Sequence, residues 1–161
     1  MRRKVAYFGL FIALALIFSY VEHLLPVHFA IPGIKLGLAN LCVMIVLYMY
    51  GVREAFVLSM TRIVLAGFMF GNLFTILYSM AGGIFSLLVM WILKRTKWFS
   101  MIGISMTGGV FHNVGQLIVA SIVVESFSVF YYLPVLVFSG IVTGILIGIL
   151  ANEMLKRMHK I

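Results

Sequence analysis

Apolar residues run along this chain in six long blocks, broken at intervals by glycine, proline or clustered charge. The blocks fall at approximately 5–21, 34–50, 54–69, 72–93, 100–124 and 134–154. About 20 apolar residues in a helix cross a hydrocarbon core of roughly 30 Å. The pattern therefore predicts an all-α fold: an integral membrane bundle of six transmembrane helices, forming a single domain over 1–161. The third block is short for a crossing.

The breaks between blocks differ in character. The segment Glu22–Gly33 carries two of the three prolines, Pro26 and Pro32. It is too apolar for a solvated loop and too broken for a helix. Two readings fit it: a lid over one end of the bundle, built from Glu22, His23, Pro26 and Pro32, or an interfacial connector without function. Phe70-Gly71-Asn72 reads as a tight turn. The stretch from Glu125 to Tyr132 supplies interfacial aromatics, and Trp91 and Trp98 bracket the basic cluster Lys94-Arg95-Thr96-Lys97 at the same kind of depth.

Composition sharpens this picture. Hydrophobic residues make up 64% of the chain and charged residues 10%, against about 25% charged in soluble domains. No room is left beside the membrane segments for a separate catalytic domain. The net charge of +8 lies at the ends of the apolar blocks rather than along a stripe. Alternating the blocks from a cytoplasmic N-terminus puts ten of the twelve Lys and Arg residues inside, all but Lys35 and Arg62. That bias sets an orientation with both termini inside. The partner implied by such a surface is the lipid bilayer, not a nucleic acid, for which basic residues interleaved with stacking aromatics would be needed. Met1-Arg2-Arg3-Lys4 and the apolar run behind it resemble a signal peptide, but no small-x-small cleavage site follows Phe18, so the first block is expected to be retained. Cys42 is the single cysteine, too few for an internal disulfide or a cysteine metal cluster.

Against this apolar background a few polar residues stand out. At about 1.5 Å of rise per residue, Asn40, Arg62 and Ser79 fall roughly 10 Å below the outer face, Gln116 roughly 13 Å and His112 roughly 18 Å. Asn113 is adjacent to His112, and the four-residue spacing of His112 and Gln116 puts both on one helix face. An unpaired arginine at mid-membrane costs from about 3 to more than 10 kcal/mol, so Arg62 must face the bundle interior. Two arrangements meet that demand. One is a polar knot in which Arg62 bonds backbone carbonyls and ties helices together. The other is an outward-opening pocket in which Arg62, Lys35 and His112 attract an anionic or strongly polar solute, while Asn40, Asn113 and Gln116 orient it. A guanidinium offers donors in a fork suited to carboxylate or phosphate. Lys35, at the rim, has the alternative of snorkelling to water.

Small residues recur at helical spacing: Gly140, Gly144 and Gly148 on the sixth block, Ser79, Gly82 or Gly83 and Ser86 on the fourth, Gly9 and Ala13 on the first. Such stripes let helices approach closely. The stripe on the fifth block, Ser105, Gly108 or Gly109, His112, Gln116 and Ala120, leads to polar groups and suits a cavity wall as well as a packing face.

Autonomous catalysis is not expected, and no catalytic residue or cofactor is assigned. The chain has no aspartate, and its four glutamates, Glu22, Glu54, Glu125 and Glu153, lie far apart; magnesium-bound diphosphate chemistry needs clustered hard oxygen ligands. There is no Gly-x-x-x-x-Gly-Lys-[Ser/Thr] loop and no Gly-x-Ser-x-Gly elbow. Glu22 with His28 or His112 lacks the ligand number and helical spacing of a metal site.

Three strings carry a resemblance: Pro32-Gly33-Ile34-Lys35-Leu36-Gly37-Leu38-Ala39-Asn40, Ala81-Gly82-Gly83-Ile84-Phe85-Ser86, and Gly108-Gly109-Val110-Phe111-His112-Asn113-Val114-Gly115-Gln116. The chain resembles, over nearly its whole length, the bacterial family labelled heptaprenyl diphosphate synthase component I, also called the Gx transporter family. That family is similar to the substrate-binding S components of energy-coupling factor transporters. The resemblance implies six helices, both termini inside, and an outward pocket capped by the first outer loop. It also implies a first helix whose small residues, here Gly9 and Ala13, dock on a transmembrane partner linked to two ATPases. The alternative implied by the family label is a non-catalytic membrane subunit of a prenyl diphosphate synthase or quinone-pathway enzyme.

Overall fold

The computed structural model describes residues 2–24 and 37–158. Every regular element among them is helical: α1 (Arg2–Leu24), α2 (Leu38–Met49), α3 (Val52–Phe70), α4 (Leu73–Thr96), α5 (Met101–Val123) and α6 (Leu133–Met158), with a 3₁₀ turn over Phe127–Tyr132 leading into α6. The expectation of an all-α chain therefore holds. Four helices, α1, α4, α5 and α6, are long and apolar enough to cross a membrane.

The second and third blocks depart from their expected lengths. The helix α2 has 12 residues, about 18 Å, shorter than its block; residues 34–36 lie outside the described residues. The helix α3 has 19 residues, about 28 Å, longer than expected, because the helix starts at Val52 and continues to Phe70. Arg53, Glu54 and Arg62 all lie on it, so it has no uninterrupted apolar stretch like those of α1, α4, α5 and α6. Glu22 and His23, expected in a connector, belong to the last turn of α1. Nothing breaks the helix before Pro26, so the run of helix formers carries through them.

The short helix α2 is the centre of the bundle. Ala39 and every residue from Leu41 to Leu47 are buried, as expected of a helix apolar all round. It packs against α1, α3 and α6. Both of its ends need outside help, because terminal N–H and C=O groups have no partner within a helix. At the start, Gly37 takes φ 74° and offers no side chain as a cap; the Leu38 N–H donates to Glu22 Oε1 of α1 at 2.7 Å. At the other end, Lys94 Nζ of α4 donates to the Leu47 carbonyl at 2.7 Å and sits 4.5 Å above the Tyr48 ring. A carboxylate at the start and an ammonium at the end also match the helix dipole.

The other close packing runs through glycine. A Cβ on Gly144 would lie 2.6 Å from Met106 Cα, and one on Gly148 2.8 Å from Ile102 Cα, so α6 presses its backbone onto α5. Between α4 and α5, Gly82 meets the His112 carbonyl and Gly115 meets Ala81 and Gly82. Side chains larger than hydrogen would push these helices apart. Gly9 on α1 has nothing within 4 Å of the same position, so among the described residues the α4, α5 and α6 stripes are packing faces and the Gly9 stripe is not. Elsewhere the outward faces are apolar, with Leu10, Ile17, Phe68, Leu88 and Phe138 all exposed.

Candidate functional site

Six of the polar residues expected to converge do so. Asn40 from α2, Arg62 from α3, Ser79 from α4, and His112, Asn113 and Gln116 from α5 line one cavity of about 60 Å³. Lys35, Pro26 and Pro32 lie outside the described residues. Glu22, in the last turn of α1, lines the cavity too, whereas His23 is exposed and stacks on Phe70 at 5.8 Å between ring centroids.

Arg62 is half-buried. Its Nη2 donates to Asn40 Oδ1 at 2.9 Å, a side-chain bond and not a backbone one. Its Nε is buried with no hydrogen-bond partner among the described residues. A buried donor left unmade costs about 1–3 kcal/mol, and this one belongs to a residue that lines the cavity.

The neighbouring groups divide into engaged and open. Asn113 Nδ2 donates to the Leu136 carbonyl at 2.7 Å, tying α5 to α6. Thr143 Oγ1 bonds back to the Ser139 carbonyl of its own helix at 2.9 Å. Gln116, Ser86 and Ser105 are all at least nine-tenths buried and line the cavity, and their side chains make no hydrogen bond among the described residues. The fifth-block stripe lines the cavity through Ser105, Gly108 and Gly109 as well, whereas sequence reasoning missed Ser86, Met90, Thr143 and Gly144 as lining residues. The signal was the small-residue stripes themselves, which pack helices on one edge and line the hollow on the other.

The volume sets a scale. One water needs roughly 10–15 Å³ of such space, so the cavity holds a few, while sites for drug-sized ligands run to roughly 300–1,000 Å³. In this form the site suits a small or slender guest.

The chain matches the family described as heptaprenyl diphosphate synthase component I over residues 11–154. It belongs to that family. The match reaches from within α1 to within α6 and includes every residue lining the cavity. The family's description names a component of a synthase. No curated protein and no solved structure matches the chain.

Proposed function

We propose that this member of the family is a membrane-embedded substrate-binding subunit of the S-component kind. It takes up a small anionic or amphiphilic solute at Arg62 and depends on an external ATP-driven module for energy. One observation carries the reading: a guanidinium whose Nε is buried and uncommitted among the described residues, on the wall of a cavity that also holds Asn40, His112 and Gln116. Arginine inside a membrane bundle is expensive and marks a ligand path, and its fork suits carboxylate or phosphate. In this reading the chain crosses the bacterial cytoplasmic membrane six times with both termini inside, as the ten inward Lys and Arg residues favour, and the cavity opens outward. Gly9 and Ala13 lie on an exposed face of α1, available to a transmembrane partner.

The test is native mass spectrometry of the gently purified protein. Wild type should carry a small molecule that Arg62→Ala and His112→Ala lose while remaining folded. Equal loading of all three proteins would sink the reading.

The family's description favours a second reading, a non-catalytic membrane subunit of a prenyl diphosphate synthase or quinone-pathway enzyme. Affinity purification separates the two. Co-purifying ATPases support the transporter subunit, and a prenyl synthase without ATPases supports the alternative.

A further inference from the structure

The cavity holds opposite charges. Among the described residues its lining includes one carboxylate, Glu22, one guanidinium, Arg62, and a third titratable group, His112. Both charged groups are fastened to the first turn of α2. Glu22 Oε1 accepts from the Leu38 N–H at 2.7 Å, and Arg62 Nη2 donates to Asn40 Oδ1 at 2.9 Å. Leu38 and Asn40 are separated by a rise of roughly 3 Å. The Asn40 amide leans back over the helix start, since a Cβ on Gly37 would lie 3.5 Å from its Nδ2. The carboxylate and the guanidinium therefore sit at nearly one level, close enough for the charge of Glu22 to act on Arg62. No hydrogen bond or ion pair joins them directly among the described residues. Opposite charges at low dielectric attract strongly, yet each of these is held by α2, and the cavity lies against both.

A plain anion fits only half of this arrangement. Bound at Arg62, it would bring a second negative charge beside Glu22, and a buried charge without a partner is costly. With His112 uncharged, a solute carrying both an acid and an ammonium leaves lining and guest neutral together. We infer that the solute taken at Arg62 is a short zwitterion, its acid group held by the guanidinium and its ammonium by the Glu22 carboxylate. This rests on the reading of Arg62 as the anion site, and it narrows the solute from anions in general to acids that also carry a cation. Glu22 already serves Leu38, but an ionised carboxylate has two oxygens and room for about four donors. Arg62 brings the Nε that has no partner among the described residues. A cavity of about 60 Å³ holds only a few waters, which suits a short spacer between the two charges.

Calorimetric titration of the full chain in nanodiscs tests this with matched probes, in which a methyl group replaces the ammonium. Aminoethyl phosphate is set against propyl phosphate, and β-alanine against butyrate; hexyl phosphate supplies a hydrocarbon tail. In wild type, the zwitterion of each pair that binds should be about ten- to a hundredfold tighter than its methyl partner, the worth of one charge-assisted hydrogen bond. Glu22→Gln keeps an oxygen for the Leu38 N–H and removes the charge. It should weaken the zwitterions and tighten the plain anions, a crossing that loss of folding cannot produce. Equal weakening of all probes by Glu22→Gln makes Glu22 a helix cap alone and overturns the inference. A wild-type protein that binds the methyl partners as tightly as the zwitterions, or hexyl phosphate more tightly than either, also overturns it. Those results leave the Arg62 reading standing. The wild-type comparison needs no variant, so it decides even where Glu22→Gln fails to fold. Failure of every probe to bind overturns the anion site and the zwitterion together.

Discussion

At the scale of the residue, Arg62 and Asn40 form a unit whose two members respond differently to change. Asn40 Oδ1 is the one hydrogen-bond acceptor of the guanidinium among the described residues, and removing it leaves a second donor without a partner there. Asn40→Ala should therefore lower stability by about 1–3 kcal/mol, read as a fall in the thermal midpoint in detergent. Arg62→Ala removes the charge together with its desolvation cost, so its stability loss should be the smaller of the two. Binding should rank the other way. Arg62→Lys keeps a charge but replaces a planar fork by a single ammonium, and hexyl phosphate affinity should drop about tenfold or more, since charge-assisted bonds are worth about 1.5–3 kcal/mol each. An Arg62→Lys protein that binds hexyl phosphate as well as wild type would show that charge alone, without the fork, accounts for recognition. Convergence of these residues was legible in the sequence because polar groups in apolar blocks have few places to go. Which of them stay uncommitted was not legible: Asn113 and Gln116 look alike in the string, and only the position of the Leu136 carbonyl on α6 separates them.

At the scale of the element, glycine stripes of similar appearance have different fates. Gly144 faces the α5 backbone, whereas Gly9 faces open space. A large side chain at Gly144 forces α5 and α6 apart, a change that costs about 1–3 kcal/mol or more in packed cores. Gly144→Leu should therefore lower the unfolding midpoint sharply or abolish folding. Gly9→Leu should leave the midpoint at its wild-type value, and if α1 presents a docking face it should still prevent capture of a transmembrane partner from solubilised membranes. The ends of α2 make the complementary case. Its length was overread in sequence because apolar continuity through residues 34–50 says nothing about where the backbone stops being helical. Its short form leaves terminal groups that only other helices can satisfy, and Glu22 and Lys94 reach them. Glu22→Ala should release the Leu38 amide to exchange faster with solvent deuterium, while Glu22→Gln, which retains the oxygen acceptor, should largely preserve its protection.

At the scale of the whole molecule, the six helices were readable from apolar continuity, and the order of their packing was not. Nothing in the string says that the shortest helix lies at the centre, because burial on all sides and exposure to lipid select the same residues. The orientation rests on charge, and α3 is where charge and hydrophobicity disagree. Arg53, Glu54 and Arg62 interrupt its apolar run, yet at about 28 Å it is nearly as long as a hydrocarbon core is thick. If α3 crosses, its two ends face different compartments. Replacing the buried Cys42 by alanine gives a background in which single cysteines report position. Arg53→Cys at the start of α3 and Leu73→Cys at the start of α4 are both at exposed positions. A membrane-impermeant maleimide applied to intact cells should label Leu73→Cys, and should label Arg53→Cys only after the cells are permeabilised. The reversed pattern would invert the orientation. Labelling of both in intact cells would mean that α3 turns back at one face, and the outward pocket around Arg62 would lose the scaffold that places it inside the bilayer.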